Sequence, residues 1–298
     1  MASPRPYARQ PVALATRHGK ERVIGRALRW GLGAELLHVE SVDTDALGTF
    51  CGGVHRQGDA LRACIAKAEA ALQGAGTELA IASEGSFGPH PHVPFLAAGV
   101  ECMVFLDQRR GLRISEQLLA RRTNFSHRPV QPPSPTGPDA DLERWLNLVG
   151  FPRHALMVRP MNGTANPGGS DGGPVEKGLR RWDDLRAAIQ RAAASSPEGR
   201  ALLETDMRAH CNPTRMAAIR ALAFRLVRRV ASPCPACHTP GWGMVDQRSG
   251  LACGACGLPT ELVRAEVWSC LSCSHREERP RGDGRLQADP AHCQWCNP

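Results

Sequence analysis

The chain has 298 residues, of which 42% are hydrophobic and 22% are charged, and its formal net charge is +8. No apolar run approaches the length of a bilayer-spanning helix, and no apolar segment of signal-peptide type follows the basic N-terminus. These features argue against a membrane or secreted protein, so we expect a cytoplasmic protein with reduced cysteines and no membrane partner.

Short apolar runs alternate with amphipathic helical segments along residues 1–230. We predict strands at 12–15, 35–39, 79–82, 103–106, 155–158 and 201–203, and helices at 21–30, 60–72, 142–149, 182–194 and 213–230. Asn212 before Pro213 is typical of a helix start, because asparagine caps the free amides and proline suits the first helical position. The alternation predicts an α/β fold with a mixed or mainly parallel sheet and flanking helices, followed by a small C-terminal zinc-ribbon module.

Two domains follow from this pattern, an α/β domain at 1–230 and two zinc ribbons at 231–298. The first domain has 31 basic and 22 acidic residues, so it carries the positive charge of the chain. Two segments within it have few side chains to pack, the Pro-rich residues near 129–138 and the Gly-rich residues near 161–178. We predict that both are mobile surface inserts.

Three polar clusters follow predicted strands, where open α/β sheets bind their ligands. They span residues 15–20 (ATRHGK), 82–92 (ASEGSFGPHPH) and 204–215 (ETDMRAHCNPTR). If the strands are parallel and share one sheet, the clusters face a common crevice. A glycine and basic side chains before a helix suit a phosphate, and carboxylates suit Mg²⁺ or Mn²⁺.

Specific roles follow from these residue types. The phosphate-binding candidates are Thr16, His18, Lys20 and Arg208. The catalytic candidates are Glu84, Asp206 and His210, with His90 as an alternative acid or base. Each cluster also has a structural explanation, because residues 16–20 can form an ordinary turn and the carboxylates can pair with nearby arginines.

Eight of the twelve cysteines form four Cys-x-x-Cys pairs within the last 65 residues. Each pair presents two thiolates on one side of a tight turn, here called a knuckle, and two knuckles supply the four soft ligands of a structural zinc. We therefore predict two zinc ions. The ligands are Cys234, Cys237, Cys253, Cys256, Cys270, Cys273, Cys293 and Cys296.

Two pairings of the four knuckles are open. Sequential pairing joins the first knuckle with the second and the third with the fourth, whereas a cross-brace joins the first with the third and the second with the fourth. Residues 241–253 (GWGMVDQRSGLAC) have the pattern of a hairpin between the first two knuckles, and 263–269 has that of a strand. The hairpin pattern favours sequential pairing.

The charge of the tail bears on its partners. Residues 231–298 contain six Arg, no Lys and seven acidic residues, and two zinc ions held by eight thiolates add four negative charges. An acidic module repels phosphate backbones, so nucleic acid is a less favoured partner of the tail than a protein. The sequence does not identify that protein.

Several long strings carry a family resemblance. These are ALATRHGKERVI, DTDALGTFCG, IASEGSFGPHP, TNFSH, LLETDMRAHCNPTRMAAIR and the tail CPACHTPGWG…CGLPTELVRAEVWSC…DPAHCQWCNP. On them the chain resembles an uncharacterised bacterial family, domain of unknown function 6671. The resemblance implies no established activity.

Three functional hypotheses remain. In the first, the α/β domain hydrolyses or binds a phosphorylated small molecule such as a nucleotide, using Mg²⁺ or Mn²⁺, and the zinc ions are structural. In the second, the chain is a non-enzymatic adaptor that docks a protein or nucleic acid through its zinc ribbons. In the third, it is a nucleic-acid-processing enzyme whose positively charged α/β domain contacts the backbone and whose ribbons position the substrate.

Overall fold

A computed structural model describes residues 6–42, 60–90, 93–120, 122–134, 137–161 and 174–298. The described part contains five α-helices, twelve strands and two short 3-10 helices. The helices are α1 (Glu21–Leu32), α2 (Ala60–Ala75), α3 (Ala140–Val149), α4 (Trp182–Ala194) and α5 (Pro213–Ala231). Within these residues, none of the helices combines the length and the apolar character that crossing a bilayer requires.

The first sheet has the order β2-β1-β3-β4-β5. Its strands are β1 (Pro11–Ala15), β2 (Glu35–Val39), β3 (Leu79–His90), β4 (Val93–Asp107) and β5 (Leu112–Ala120). β1 is parallel to both of its neighbours, β2 and β3, whereas β3 and β4 pair antiparallel, as do β4 and β5. The prediction of an α/β fold with a mixed sheet and flanking helices is confirmed.

Alternating side chains divide this sheet into two apolar faces. Val12 and Leu14 pack with α1 and α5, and Ala13 and Ala15 pack with the alanine-rich α2. Because successive side chains of a strand point to opposite faces, both sides of the central strands must be apolar, and helices cover both. α1 ends at Gly33, whose left-handed backbone lets its N–H bond carbonyls of the last turn.

A second sheet, of order β6-β9-β7-β8, is antiparallel throughout. Its strands are β6 (His127–Val130), β7 (Leu156–Pro160), β8 (Glu176–Leu179) and β9 (Ala201–Thr205), and α3 and α4 cover one face. The expectation that all three polar clusters follow strands of one sheet is therefore wrong, since the third cluster follows β9.

The sequence also placed several strand limits wrongly. Glu84 lies inside β3 rather than after it, because β3 extends to His90 against β4. The Pro-rich insert begins within β6 and the Gly-rich insert ends within β8. Pro129 fits the edge position of β6, where a missing N–H costs no ladder bond. Most of the Gly-rich segment, and His92, lie outside the described residues.

The C-terminal module is a three-stranded antiparallel sheet of β10 (Gly243–Ser249), β11 (Val263–Ser269) and β12 (Arg276–Pro280). The predicted hairpin within 241–253 is wrong, because that segment holds one strand, β10, which pairs with β11. The module contacts the α/β part. Arg229 of α5 donates from Nε to the Gly241 carbonyl at 3.3 Å and from Nη1 to Glu116 of β5 at 3.1 Å.

Candidate functional site

The eight tail cysteines form two groups of four. One group is Cys234, Cys237, Cys270 and Cys273, and the other is Cys253, Cys256, Cys293 and Cys296. The ligand atoms of each group lie within 4.8 Å of one another. The first knuckle therefore joins the third, and the second joins the fourth. The favoured sequential pairing is wrong, and the cross-brace alternative is the one observed.

The antiparallel sheet explains this pairing. β10 runs from the first knuckle to the second, and β11 runs back from the second knuckle to the third. The first and third knuckles consequently lie at the same end of the sheet. β12 then runs away from the third knuckle, antiparallel to β11, and brings the fourth knuckle to the end where the second lies.

The sulfur geometry fits zinc and excludes disulfides. A tetrahedral site with Zn–S bonds of about 2.3 Å places its sulfurs about 3.8 Å apart. The Sγ atoms of Cys234 and Cys273 are 3.8 Å apart, and those of Cys256 and Cys293 are 3.6 Å apart. A disulfide needs about 2.05 Å. Backbone amides also approach the thiolates, as at Ala236, whose N–H lies 3.4 Å from Cys234 Sγ.

The two zinc-binding groups differ in their surroundings. Trp242 is buried and packs with Trp268 against cysteines of the first group. The Arg279 guanidinium lies over both indoles, 5.7 Å from the Trp242 ring and 4.5 Å from that of Trp268. In the second group Trp295 is 78% exposed. Aromatic side chains therefore shield the first cysteine group from water better than they shield the second.

The second candidate region lies where β1 turns into α1. The Thr16 hydroxyl accepts a hydrogen bond from the His18 N–H at 3.3 Å, which closes the turn. Lys20 is buried, and its Nζ donates to the Ser83 carbonyl of β3 at 2.8 Å. Burial, and next the charge of Arg215, lower the pKa of Lys20 to about 8. Lys20 thus contacts the second cluster.

Two buried ion pairs flank Lys20. Lys67 of α2 donates to Glu84 at 2.5 Å on one face of β3. Arg215 of α5 donates from Nε to Glu101 of β4 at 2.7 Å. The Arg215 guanidinium occupies the space where a side chain at Gly85 would lie. A Cβ added at Gly85 would also meet Glu101 Oε1 at 2.8 Å. A larger residue at this position would therefore require the ends of the Arg215 and Glu101 side chains to shift.

The third cluster meets the first through two histidines. The His18 and His210 rings stack with their centroids 5.3 Å apart, and His210 is exposed. Asp206 is fully buried and accepts from Arg208 Nη2 at 2.6 Å and from the Gly178 N–H at 3.0 Å. Burial alone would raise the pKa of Asp206, but the hydrogen bonds and charge of Arg208 outweigh it and lower the pKa.

The carboxylates predicted to hold Mg²⁺ or Mn²⁺ are occupied by cationic partners. Lys67 engages Glu84 and Arg208 engages Asp206. Across the described ranges, with gaps at 43–59, 91–92 and 162–173 among others, the only groups of three or more residues suited to a metal are the two cysteine groups. The magnesium or manganese site is therefore not supported. His90 lies six residues beyond Glu84 along β3, roughly 20 Å away.

Sequence reasoning did not single out Lys67 or Glu101, and it counted Arg215 only as part of the third cluster. For Lys67 and Glu101 the sequence does contain a recognisable pattern. Lys67 lies on the apolar face of α2, between Cys64 and Ala68. Glu101 interrupts the apolar run of β4. A single charge within an apolar pattern indicates a buried ionic partner, because unpaired burial is costly.

Comparison with known proteins identifies the family but no characterised relative. The model of a family described as Domain of unknown function (DUF6671) matches residues 67–298, which is more than half of the chain, so the chain belongs to that family. The match includes Glu84, the third cluster and both cysteine groups, and it begins after Thr16, His18 and Lys20. Neither the curated proteins nor the solved structures compared with the chain gave a match.

Proposed function

We propose that this member of the DUF6671 family binds the phosphate of a phosphorylated small molecule beside the β1–α1 turn, while the zinc module stabilises the fold. The observation that carries the proposal is an excess of buried positive charge. Lys20 interacts with two other cations, Lys67 and Arg215, and with two carboxylates, Glu84 and Glu101. An anion bound near this cluster would balance its charge.

The protonation behaviour of two side chains supports this reasoning. Burial removes the solvent that would stabilise the charged form of Lys20, and a bound anion would stabilise that form instead. At His210, burial and next the charges of Arg208 and Arg180 lower the pKa of the ring, although Asp206 opposes them. At both residues burial is the first cause of the lowered pKa and a neighbouring arginine is the second, and perturbed groups of this kind concentrate at binding and catalytic sites.

The rim of the cluster offers an approach for the ligand. His210 is exposed and His18 is half-buried, so the edges of the stacked rings are within reach of solvent. Arg180 donates to the His210 carbonyl at 3.2 Å, which places another cation at this rim. A phosphate at the His18–His210 pair would lie at the β1–α1 turn that leads to Lys20, with Arg180 at the same rim.

Hydrolysis of the ligand is a separate question from its binding. A metal-dependent phosphohydrolase, which the sequence predicts, would need Glu84 or Asp206 to exchange its cationic partner for Mg²⁺ or Mn²⁺. Removing one partner from a buried ion pair costs about 3–5 kcal/mol. Binding is accordingly the activity that the described contacts support best, and turnover requires its own measurement.

An adaptor role is the second candidate, and one observation favours it. Among the exposed apolar side chains of the zinc module, Leu286 at 81% and Trp295 at 78% are the most exposed. Aromatic side chains of this kind are enriched at protein interfaces. This candidate gains weight if the α/β part binds no phosphorylated ligand.

Calorimetric titration of the zinc-loaded protein tests the proposal. The titrants are phosphate, pyrophosphate, sugar phosphates and nucleotides, each with and without Mg²⁺ or Mn²⁺, and released phosphate is measured in parallel. We expect Lys20→Met to weaken binding at least about tenfold, since it removes a charge from the site. Lys177→Met is the matched control, because Lys177 is an exposed lysine on β8. Unchanged affinity in Lys20→Met, or no binding by any titrant, would refute the proposal.

A further inference from the structure

Helices α1 and α5 pack side by side on one face of the first sheet and run in the same direction. Just before the two helices begin, a Cβ added at Gly19 would lie 3.5 Å from His210 Cβ. Toward their ends, a Cβ added at Gly31 would overlap the Val227 side chain. The apolar sides of both helices are buried in a shared core. Their outer sides therefore form one surface, here called the α1–α5 face.

The α1–α5 face is strongly basic. α1 contains three arginines and one glutamate, and α5 contains five arginines and no acidic residue. Four of these arginines have carboxylate partners, which are Glu21, Glu101 and Glu116. Among the residues that the structure describes, the other four are exposed and pair with no carboxylate. They are Arg26, Arg29, Arg220 and Arg228. The fold itself therefore leaves the charge of this face without a counter-ion.

The helical period places these arginines around one exposed tryptophan. Arg220 precedes Val227 by about two turns, so it lies on the side of α5 that faces α1. Arg228 follows Arg220 by roughly 12 Å along the helix axis. On α1, Trp30 is 60% exposed and adjoins Gly31, which is level with Val227. Trp30 therefore lies at a level between those of Arg220 and Arg228.

Trp30 adds a stacking surface to the basic face. The Arg26 guanidinium lies 4.7 Å from the centroid of the Trp30 ring. Aromatic side chains bind unpaired bases by stacking, and an arginine beside the ring adds a cation–π contribution. Arginines without a carboxylate partner bind phosphates of a nucleic-acid backbone. The α1–α5 face therefore presents groups for both parts of a nucleotide chain.

We infer that the α1–α5 face binds a single-stranded nucleic acid, whose phosphates contact the arginines and one of whose bases stacks on the Trp30–Arg26 pair. This inference goes beyond the proposed function, because the phosphate site at the His18–His210 pair lies before the two helices begin. Charge complementarity requires an anionic partner. A duplex keeps its bases stacked internally, so it would leave Trp30 unused. A membrane surface would need the apolar sides of the helices, which are buried in the core.

Fluorescence anisotropy of labelled single-stranded DNA and RNA oligonucleotides, at several salt concentrations, tests the arginines in the zinc-loaded protein. The Arg220→Gln/Arg228→Gln double variant should lower the slope of log affinity against log salt by about 1.4, because each phosphate contact on a single strand contributes about 0.7. Arg109→Gln/Arg113→Gln is the matched control. It removes the same charge from two exposed arginines that pair with Glu78 and Glu69 instead, and it should leave the slope unchanged.

A second pair of variants tests the stacking surface. Trp30→Leu should weaken oligonucleotide binding about tenfold, since stacking of one base contributes an effect of this order, and it should leave heparin binding unchanged. Phe95→Leu replaces another exposed aromatic residue, 86% exposed on β4, and should change neither. Equal losses for heparin and the oligonucleotide in Trp30→Leu would overturn the stacking of a base, and equal slopes for the two arginine variants would overturn the location of the site.

Competing ligands identify the class of partner. Polyglutamate, a DNA duplex and anionic lipid vesicles should each bind more weakly than the single strand. Tighter binding of any of them, or no binding of either oligonucleotide, would overturn the inference. Lys20→Met separates this surface from the phosphate site, because that variant should lose phosphate and keep wild-type affinity for the oligonucleotides. Loss of both ligands in Lys20→Met would show that the strand binds at the phosphate site and would refute the α1–α5 face.

Discussion

Two matched double variants test how the zinc knuckles pair, and each replaces two cysteines by serine. The first combines Cys234→Ser with Cys270→Ser and removes two ligands from one group. The second combines Cys234→Ser with Cys253→Ser and removes one ligand from each group. Since both variants lose the same number of thiolates, only the pairing distinguishes them.

The magnitude of the expected difference follows from the sheet. β10 has seven residues, so the knuckles at its two ends are roughly 20 Å apart. The ligand atoms of each observed group lie within 4.8 Å of one another, and a sequential site would have to close that whole separation. A structural zinc contributes about 10–16 kcal/mol in zinc-finger peptides, so a group with four intact ligands should keep its ion under mild competition.

Native mass spectrometry during titration with a chelator counts the zinc that each variant retains. The Cys234/Cys270 variant should keep one zinc with wild-type resistance to the chelator, because the second group is complete. The Cys234/Cys253 variant should keep none with that resistance, because both groups have three thiolates. If the two results are exchanged, the pairing is sequential and the reasoning from strand direction is wrong.

Three further predictions concern the buried charges. Since the pKa of Lys20 is lower in the folded protein than in the unfolded chain, its contribution to stability should rise from about pH 8 to pH 10.5, and its ¹³Cε resonance should titrate near pH 8. Glu101→Gln should destabilise the protein to urea by about 3 kcal/mol, because Arg215 loses its buried partner. Gly85→Ala should cost about 1–3 kcal/mol through overpacking, whereas Gly88→Ala on the same strand meets no atom within 4 Å and serves as the control. A Lys20 ¹³Cε resonance that does not shift around pH 8 would contradict the first prediction. Equal urea midpoints for the wild type and Glu101→Gln would contradict the second, and equal midpoints for Gly85→Ala and Gly88→Ala would contradict the third.

Features that depend on neighbouring residues were predicted well from the sequence. The cysteines of the two groups suited to zinc were singled out because a Cys-x-x-Cys turn brings its two thiolates together by itself. The start of α5 was identified because the Asn212 side chain caps the Arg215 N–H at 3.0 Å and Pro213 follows. Strand β2 and helix α4 occupy the predicted residues, since each has a clear apolar period bounded by polar or turn residues.

Partner choice between distant segments was decided only by the tertiary structure. The local pattern of 241–253 suits a hairpin, yet β10 pairs with β11, and that one choice changes both zinc sites. Short apolar runs likewise gave no sign that β7 and β9 leave the first sheet and form an antiparallel one of their own. Several sheets satisfy the same alternation of side chains, so strand order depends on packing across the whole chain.

The candidate site in the α/β part likewise has features that the sequence predicts and features that only the tertiary structure decides. Its residue types were recognisable in the sequence, because Lys20, Glu84 and Asp206 stand beside apolar strands. Their roles depend on partners that are distant in the chain. Lys67, the partner of Glu84, is 17 residues away, and Ser83, the partner of Lys20, is 63 residues away. The sequence by itself determined which cysteines form the candidate zinc sites and the α/β class, because both arise from local spacing. Only the tertiary structure decided which knuckles share a zinc and which charges face each other, because burial and long-range pairing fix the energy of a buried charge.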